Sequence, residues 1–261
     1  MRIVEPKVFL VGETRIMKSE LNAYLRHIGV PKWKSDATTD AEKLTEVYGR
    51  LCYRSFVPGL NPNVKKIRER NKDYLENVIE VKHGSVLEHI TLNFIFADVS
   101  RVFTHELVRH RVGVAISQES LRFVRLTDLG FWPPLAVREN EKVMEVMSNT
   151  FKILEKLQKD LAEELGLDEE DKKFAEKKKL TSAMRRIAPL GSATAIGWST
   201  NIRNLRHVIE MRTDPAAEEE IRLVFGKVAE IVKERYPNLF ADYEVEIADG
   251  LPWWHTKNKK V

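Results

Sequence analysis

A long amphipathic pattern over residues 139–165 constrains the fold more than any other feature of this 261-residue chain. Its apolar side chains recur at three- and four-residue steps, so they share one stripe of an α-helix. The members of the stripe are Val143, Val146, Met147, Phe151, Leu154, Leu157 and Leu161. Gly166 follows the pattern and is expected to end the helix. The sequence therefore predicts one helix that is longer than all the others.

Shorter patterns predict further helices and three strands. Residues 90–97 alternate, with Ile90, Leu92, Phe94 and Phe96 on one side, which is typical of a strand with one apolar face. The other predicted strands cover 3–11 and 121–126. Further helices are predicted over 14–28, over a stretch that contains Leu44, Val47 and Leu51, over 64–82, and over 202–212. Three more are predicted from their caps: one from Asp98 or Ser100 to about 112, one from Asp168 toward Ile187, and one from Asp214-Pro215 to about Tyr236.

These elements show neither an internal repeat nor a linker, so the sequence predicts an α+β fold, mostly helical, as one domain over residues 1–261. Lys plus Arg exceeds Asp plus Glu by 43 − 39 = 4, which does not by itself indicate nucleic acid binding. The single cysteine, Cys52, is interpreted as a packed small residue and favours a reducing compartment. No membrane span or secretion signal is evident, and a cytoplasmic location is expected.

Basic, hydroxyl and amide side chains are concentrated after the predicted strand at 90–97. They are Arg109, His110, Arg111, Ser117, Gln118, Ser120 and Arg122. Guanidinium forks match the oxygens of phosphate and carboxylate groups, and neighbouring hydroxyl and amide groups complete such an anion site. For any one of these residues, a solvated basic helix end that is favoured by the helix dipole is the alternative.

The segment from His105 to His110 nearly matches a zinc-protease helix, which needs histidines at positions i and i+4. Here Arg109 occupies position i+4 and the second histidine is at i+5. One extra residue rotates a helical side chain by about 100°. The two imidazoles therefore diverge, and no metal site is expected.

Two further polar series flank this region. Residues 83–89 (HGSVLEH) directly precede the strand, and they either bring a loop close to a ligand or form an ordinary capped turn. Downstream, Asn201, Arg203, His207 and Arg212 form the other series, in which Arg203 and His207 share one helix face as an i, i+4 pair. A solvated helix face is the alternative for each single member.

Together these series resemble the flavin-dependent thymidylate synthases of the ThyX type. That family has Arg-His-Arg followed by a spacer and Ser-x-Arg, a His-x-Ser/Thr-x-x-Glu-His loop, an Arg before Pro-Leu, and a late Asn-x-Arg series ending in Arg. The matching stretches here are 109–122, 83–89, 185–190 and 201–212. The resemblance is strongest over residues 45–240 and excludes the first 40 residues and the tail GLPWWHTKNKKV. It implies a ThyX-like fold, mostly helical, with a central antiparallel sheet.

The chain departs from the family pattern before Ser120. The spacer at 112–119 holds eight residues, one more than is usual, so the loop is expected to bulge. Gln118 stands where an acidic residue is frequent, with Glu119 beside it, and Glu106 stands where many members have glutamine.

The resemblance implies binding of FAD and dUMP. The implied FAD contacts are Ser85, Arg109, His110, Arg111, Asn201, Arg203 and His207, with His83 and Glu88 close to the flavin or supporting its neighbours. The implied dUMP contacts are Ser120, Arg122, Arg185 and Arg212, with Glu106, Gln118 and Glu119 as weaker candidates. Arg212 is also implied as the catalytic residue, a fixed cation against the uracil ring where charge develops as N3 loses its proton.

The resemblance further implies a reaction and an assembly. Family members make dTMP from dUMP, with methylenetetrahydrofolate as carbon donor and NADPH as reductant through FAD. They are homotetramers with shared flavin sites, so part of the 143–161 stripe is expected to be interface, and neither nucleic acid nor membrane is an expected partner. No enzyme nucleophile is needed. Two alternatives stay open: a flavin- or nucleotide-binding relative without synthase activity, and a basic module that binds nucleic acid.

Overall fold

The structure is a computed structural model that describes residues 1–259 and 261. Its helices are α1 (Lys18–His27), α2 (Asp40–Tyr53), α3 (Asn71–Glu80), α4 (Arg101–Leu107), α5 (Leu135–Arg138), α6 (Glu141–Glu164), α7 (Phe174–Met184), α8 (Ile202–Thr213) and α9 (Glu219–Arg235). Its strands are β1 (Arg2–Ile3), β2 (Lys7–Glu13), β3 (Thr91–Ser100), β4 (Val114–Gln118), β5 (Gly130–Phe131), β6 (Ala193–Asn201), β7 (Glu244–Ala248) and β8 (Leu251–His255). Short 3₁₀ turns cover Gly84–His89 and Arg185–Ile187.

A four-stranded antiparallel sheet in the order β2-β3-β6-β4 confirms the predicted α+β class. The alternation in β3 is also confirmed, since Leu92, Phe94 and Phe96 are buried and Ile95 is exposed. Strand β6 alternates in the same way, although no strand was predicted there. Its half-buried positions hold small residues that have weak strand propensity, so the sequence signal is faint.

The N-terminal elements differ from the prediction at their ends. The predicted strand at 3–11 is divided into β1 and β2, which flank Pro6, a residue that has no N–H to donate. Helix α1 begins at Lys18 rather than at 14, because the carboxylate of Asp40 accepts the N–H of Ile16 (3.1 Å) outside a helix. Helix α3 begins at Asn71 rather than at 64.

The predicted strand at 121–126 is wrong. The carbonyl oxygen of Ser120 accepts the N–H groups of Phe123 and Val124 (2.9 and 3.0 Å), and its Oγ accepts the N–H of Arg122 (3.3 Å). These bonds fold the segment into a turn, because a serine hydroxyl competes with strand pairing for nearby N–H groups. The strand of this region is β4, which lies earlier in the chain.

Helices α6 and α8 lie close to their predicted bounds, whereas α4 and α7 differ. Ser100 caps α4 as predicted, since its Oγ accepts the N–H of Phe103 (3.1 Å), but the helix ends at Leu107 instead of about 112. Asp168 does not cap a helix, because its carboxylate pairs with Arg125.

Helix α7 instead begins at Phe174, where the carboxylate of Glu176 accepts the N–H of Lys173 (3.2 Å).

Helix α9 begins at Glu219 rather than at Asp214. The carboxylate of Asp214 accepts the N–H of Ala216 (2.9 Å) and closes a turn. The cap is Glu218, whose carboxylate accepts the N–H groups of Glu220 and Ile221 (2.9 and 3.2 Å). A side-chain oxygen that satisfies two free N–H groups ends the turn and begins the helix there.

The chain forms two compact units. The first unit comprises Met1–Phe9, Ile95–His110 and Ile116–Trp198, and the second comprises Leu10–Phe94, Arg111–Ala115 and Ser199–Val261. In the first unit, Leu126, Leu129, Phe131 and Phe151 form a buried cluster. A single catalytic domain over residues 1–261 stays a prediction. No helix in the described part of the chain is both long and apolar enough to cross a membrane.

The second unit is organised around α8, which carries a buried cation at its centre. The guanidinium of Arg206 makes two hydrogen bonds to the carboxylate of Asp242 (2.8 and 2.9 Å). Burial by itself raises the pKa of Asp242, but the hydrogen bonds and charge of Arg206, with further bonds from Thr256 and Asn258, lower it to about 2. This pair therefore stabilises the fold only while Asp242 is ionised.

We predict that Asp242→Asn lowers the free energy of unfolding by about 3 kcal/mol at neutral pH, because it leaves the buried Arg206 charge without its counterion. The difference in unfolding free energy between variant and wild type should shrink as pH falls from the usual aspartate range toward 2. A carboxyl group whose pKa is lowered in the folded state stabilises the fold only while it is ionised. Urea unfolding at a series of pH values measures both quantities. A difference that stays constant down to pH 2 would contradict this assignment.

Candidate functional site

In the first unit, two of the predicted dUMP contacts hold the segment after β4 in place. The amide of Gln118 donates to the hydroxyl of Thr104 on α4 (3.1 Å). The carboxylate of Glu119 accepts from the N–H of Ala195 (3.0 Å) and the hydroxyl of Thr194 (3.3 Å) on β6. Both side chains are thus engaged with the protein, and the guanidinium groups nearby are the stronger candidates for a ligand.

Arg122 is one of these groups. Its N–H donates to Ser120, and its carbonyl oxygen accepts the hydroxyl of Thr181 on α7 (2.7 Å), so the backbone is fixed from two sides. Its Nε is buried and has no hydrogen-bond partner. Buried donors are normally satisfied, so this N–H needs an explanation, and a ligand oxygen would satisfy it.

Arg101 is a second such group, in the first turn of α4. Its Nη2 donates to the carbonyl oxygen of Glu119 (3.2 Å), whereas its buried Nε has no partner. Burial lowers the pKa of Arg101, the Glu119 carboxylate raises it, and the like charge of Arg185 lowers it further. Together with Glu119 and Thr194, Arg101 lines a cavity of about 290 Å³. An anion bound there would relieve both the lost solvation and the repulsion.

Arg101 was not among the predicted site residues, although the sequence holds a signal for it. It directly follows the Ser100 cap, so its positive charge lies at the N-terminus of α4. Acidic residues are preferred at that position because the helix dipole is positive there. A basic residue against the dipole costs stability, and a bound anion would compensate for that cost.

The other candidates of the first unit lie on and after α4 and α7. Glu106 is half-buried on α4, and Arg185 is exposed in the 3₁₀ turn after α7. Arg109 and His110 lie in the turn after α4, where their N–H groups donate to the carbonyl oxygens of Glu106 and Leu107 (3.2 and 3.1 Å). Arg109 is exposed and His110 is half-buried.

In the second unit, a glycine brings the Arg-His-Arg end close to α8. Gly113 has φ +67° and a carbonyl oxygen that accepts the N–H of Asn201 (3.3 Å). A Cβ at Gly113 would collide with the amide of Asn201. Asn201 caps α8, since its Oδ1 accepts the N–H of Asn204 (2.8 Å). Arg111 is exposed beside this contact, so two predicted FAD contacts are placed on adjoining backbone.

The loop at residues 83–89 meets the same helix. Arg203 on α8 forms an ion pair with Glu88 (2.6 Å), and its Nε would lie 2.7 Å from a Cβ at Gly84. Ser85 is exposed on the 3₁₀ turn. The Nδ1 of His83 is buried and has no hydrogen-bond partner. The structure therefore brings together the predicted FAD contacts of the loop and of α8.

Helix α8 carries all four members of the late polar series. Asn201 is its cap, Arg203 and His207 follow on one face, and Arg212 lies in the last turn. His207 is exposed, and Arg212 is half-buried. The prediction of a helix over 202–212 is confirmed, and with it the shared face of Arg203 and His207.

Two other sequence interpretations concern cysteine and zinc. Cys52 is exposed on α2, so its interpretation as a packed residue is wrong. Helix α4 ends before His110, which places His105 inside the helix and His110 outside it. Within the described residues, no group of at least three His, Cys, Asp or Glu side chains is arranged to hold a metal ion.

Comparisons with known proteins give a consistent family. The family model described as Thy1, thymidylate synthase complementing protein, matches residues 35–238. A flavin-dependent thymidylate synthase of Corynebacterium diphtheriae is 34% identical over 222 residues, which is 84% of this chain and 86% of that protein. One of Mycobacterium tuberculosis is 31% identical over 245 residues, or 92% of this chain and 95% of that protein.

Solved structures show the same fold. The thymidylate synthase ThyX of Helicobacter pylori, solved with FAD and dUMP, superposes with a TM-score of 0.59 at 21% identity and covers 91% of this chain and 98% of its own. The UMP/dUMP methylase PolB of Streptomyces cacaoi superposes with a TM-score of 0.61 at 15% identity and covers 92% of this chain and 95% of its own. With the family model and the sequence relatives, these matches show that the chain belongs to the flavin-dependent thymidylate synthase family.

Proposed function

We propose that this protein converts dUMP to dTMP by reductive methylation, with FAD as its cofactor, methylenetetrahydrofolate as carbon donor and NADPH as reductant. The observation that carries the proposal is that Arg101 and Arg122 each hold a buried guanidinium Nε without a hydrogen-bond partner. Each offers a charged donor to an anion, and the phosphate of dUMP is such an anion. Arg185 adds a like charge close to Arg101, as expected for a site that receives a doubly charged group.

The residues for FAD fit an elongated anionic cofactor. Arg111 and the Arg203–Glu88 pair present guanidinium donors, Ser85 and Asn201 present neutral ones, and Gly84 leaves the space that Arg203 occupies. Arg109, His110 and His207 complete the proposed set, with His83 and Glu88 in support. When bound, FAD supplies the electron carrier between NADPH and the pyrimidine.

Arg212 is the proposed catalytic residue. A guanidinium keeps its charge at every physiological pH, so it can hold a fixed positive charge against the uracil ring as N3 loses its proton. One such preorganised donor aimed at developing charge contributes on the scale of about 3 kcal/mol. Ser120 does not act as a nucleophile in this scheme, because its Oγ accepts the N–H of Arg122 and no base faces it in the described contacts.

We further propose a homotetramer in the cytoplasm. Helix α6 supports the assembly, since Val146, Ile153 and Leu157 are 64%, 60% and 42% exposed. Apolar side chains left in water along one helix are typical of an interface with another copy. The cytoplasm agrees with the exposed free thiol of Cys52, which persists in a reducing compartment.

The reaction is tested by tritium release from dUMP labelled at C5, with FAD, NADPH and methylenetetrahydrofolate each omitted in turn. Release that needs every component is expected. Arg212→Ala should lower the rate about 100-fold, the kinetic equivalent of one lost charge-stabilising donor, while the protein stays yellow. Arg26→Ala, at the corresponding last turn of α1, is the matched control and should keep the full rate.

Two outcomes would overturn this function. Yellow wild-type protein that releases no tritium would be a flavin-binding relative without synthase activity. Colourless protein that binds nucleic acid with steep salt dependence would be the basic module instead.

The phosphate site is tested by the binding of dUMP. Arg122→Gln should raise the dissociation constant of dUMP about 10- to 100-fold, the value of a lost charged hydrogen bond, and leave FAD binding unchanged. Arg125→Gln removes a neighbouring guanidinium that pairs with Asp168 and should change neither constant. Calorimetric titration measures both ligands. Equal dUMP affinity in the two variants would remove Arg122 from the site.

The junction at Gly113 is tested by FAD affinity. Gly113→Ala forces a Cβ into the amide of Asn201 and should weaken FAD binding about tenfold or more, since 1.4 kcal/mol corresponds to a factor of ten. Gly59→Ala carries the same backbone strain at φ +82°, but its Cβ has no neighbour within 4 Å. Fluorescence titration with FAD should show the loss only in Gly113→Ala. A loss in both variants would assign the effect to general strain.

A further inference from the structure

The C-terminal segment 239–261 lies beyond the part of the chain that the family model matches. Strands β7 and β8 of this segment form an antiparallel hairpin, and the residues on either side of the hairpin approach α8. Since α8 carries Asn201, Arg203, His207 and Arg212, whatever fixes this helix also fixes three of the proposed flavin contacts and the catalytic cation.

The middle of α8 is held by backbone groups of this segment. Besides its pair with Asp242, Arg206 donates to the carbonyl oxygens of Leu239 (2.6 Å) and Val261 (2.9 Å). In return, the hydroxyl of Tyr243 donates to the carbonyl oxygen of Arg206 (2.6 Å). Both the side chain and the backbone of Arg206 are therefore bound by groups of the C-terminal segment.

The last turn of α8 is held separately, by Thr213. Its hydroxyl accepts the N–H of Trp254 (2.9 Å) and lies 3.1 Å from the carbonyl oxygen of Trp254 and 2.8 Å from that of Ile209. Thr213 is fully buried, and Trp254 is buried on β8. The hydroxyl thus joins the end of the helix to the strand as an acceptor, and its single proton goes to one of the two carbonyl oxygens.

Arg212 immediately precedes Thr213. Helix ends fray because their last carbonyl groups have no partner within the helix. A side chain in the last turn keeps its direction only if that turn keeps its helical dihedral angles, since each residue sets a rotation of about 100°. The bonds of Thr213 to β8 supply the outside contact that this turn needs.

We infer that the C-terminal segment positions the catalytic end of α8, and that Thr213 is the positioning residue that aims Arg212 through its contact with Trp254. The catalytic role of Arg212 in this inference rests on the proposed function. Thr213 touches neither ligand nor reacting atoms in this arrangement. Its effect on the reaction passes through the backbone of the last helical turn.

The test compares Thr213→Val, which keeps the shape and removes the hydroxyl, with Thr213→Ser, which keeps the hydroxyl. The tritium-release rate at saturating dUMP should fall about tenfold or more in Thr213→Val, because a small misplacement of a catalytic group can cost up to about 100-fold. FAD affinity should change less than about twofold, since the FAD contacts lie in the earlier turns. Thr213→Ser should recover most of the rate.

Hydrogen–deuterium exchange separates this inference from the proposed function. In Thr213→Val, the amides of residues 209–213 should exchange at least several-fold faster than in wild type, whereas those of residues 202–206 should not. Unchanged exchange at 209–213 would overturn the positioning role even in an active enzyme. Faster exchange at 209–213 in a protein without synthase activity would support the contact between Thr213 and β8 as the support of the last helical turn, and would reject the proposed function.

Thr45→Val is the matched control. Thr45 is fully buried on α2, and its hydroxyl donates to the carbonyl oxygen four residues earlier (Ala41, 2.9 Å), as Thr213 does to Ile209. Among the described residues, the hydrogen bonds of Thr45 do not include one to a strand, unlike those of Thr213. Thr45→Val should therefore lose stability without losing turnover. If turnover falls in both Thr45→Val and Thr213→Val in proportion to the stability that each variant loses, the positioning role is contradicted.

Discussion

The buried ion pair of Arg206 and Asp242 is the interaction on which the second unit depends. A guanidinium with almost no contact to water is tolerated only where its charge and its donors are all matched. Here the carboxylate and two backbone carbonyl groups match them, and Thr256 and Asn258 in turn fix the carboxylate. Helix α8 can therefore take one position against the end of the chain, and that position sets the direction of every polar side chain it carries.

The first unit follows a different principle, in which the protein satisfies its carboxylate and amide groups internally and leaves guanidinium donors for a ligand. Gln118 and Glu119 bind to α4 and β6, and this fixes the loop that ends at Arg122. Arg101 and Arg122 keep a buried N–H without a partner. Such donors cost stability in the free protein, and in the proposed site that cost would become binding energy when a phosphate binds.

Local periodicity predicted β3, α6 and α8, because each of them has one apolar face that repeats at the period of its own element. Side-chain hydrogen bonds decided the places where the prediction was wrong. The hydroxyl of Ser120 turns the chain where apolar alternation indicated a strand, and Asp168 binds Arg125 where its type indicated a helix cap. These choices depend on partners distant in sequence, which one sequence does not identify.

The candidate site was predicted to a similar extent. Family motifs indicated Arg122 and the α8 series, but Arg101 lay outside them and was missed, although its position against the helix dipole was a usable signal.

The most direct measurement is a crystal structure with FAD and dUMP bound. We expect the phosphate of dUMP on Nε of Arg101 and Arg122, and the flavin against Asn201, Arg203 and His207. A phosphate bound elsewhere, with both Nε atoms still without a partner, would contradict the assignment.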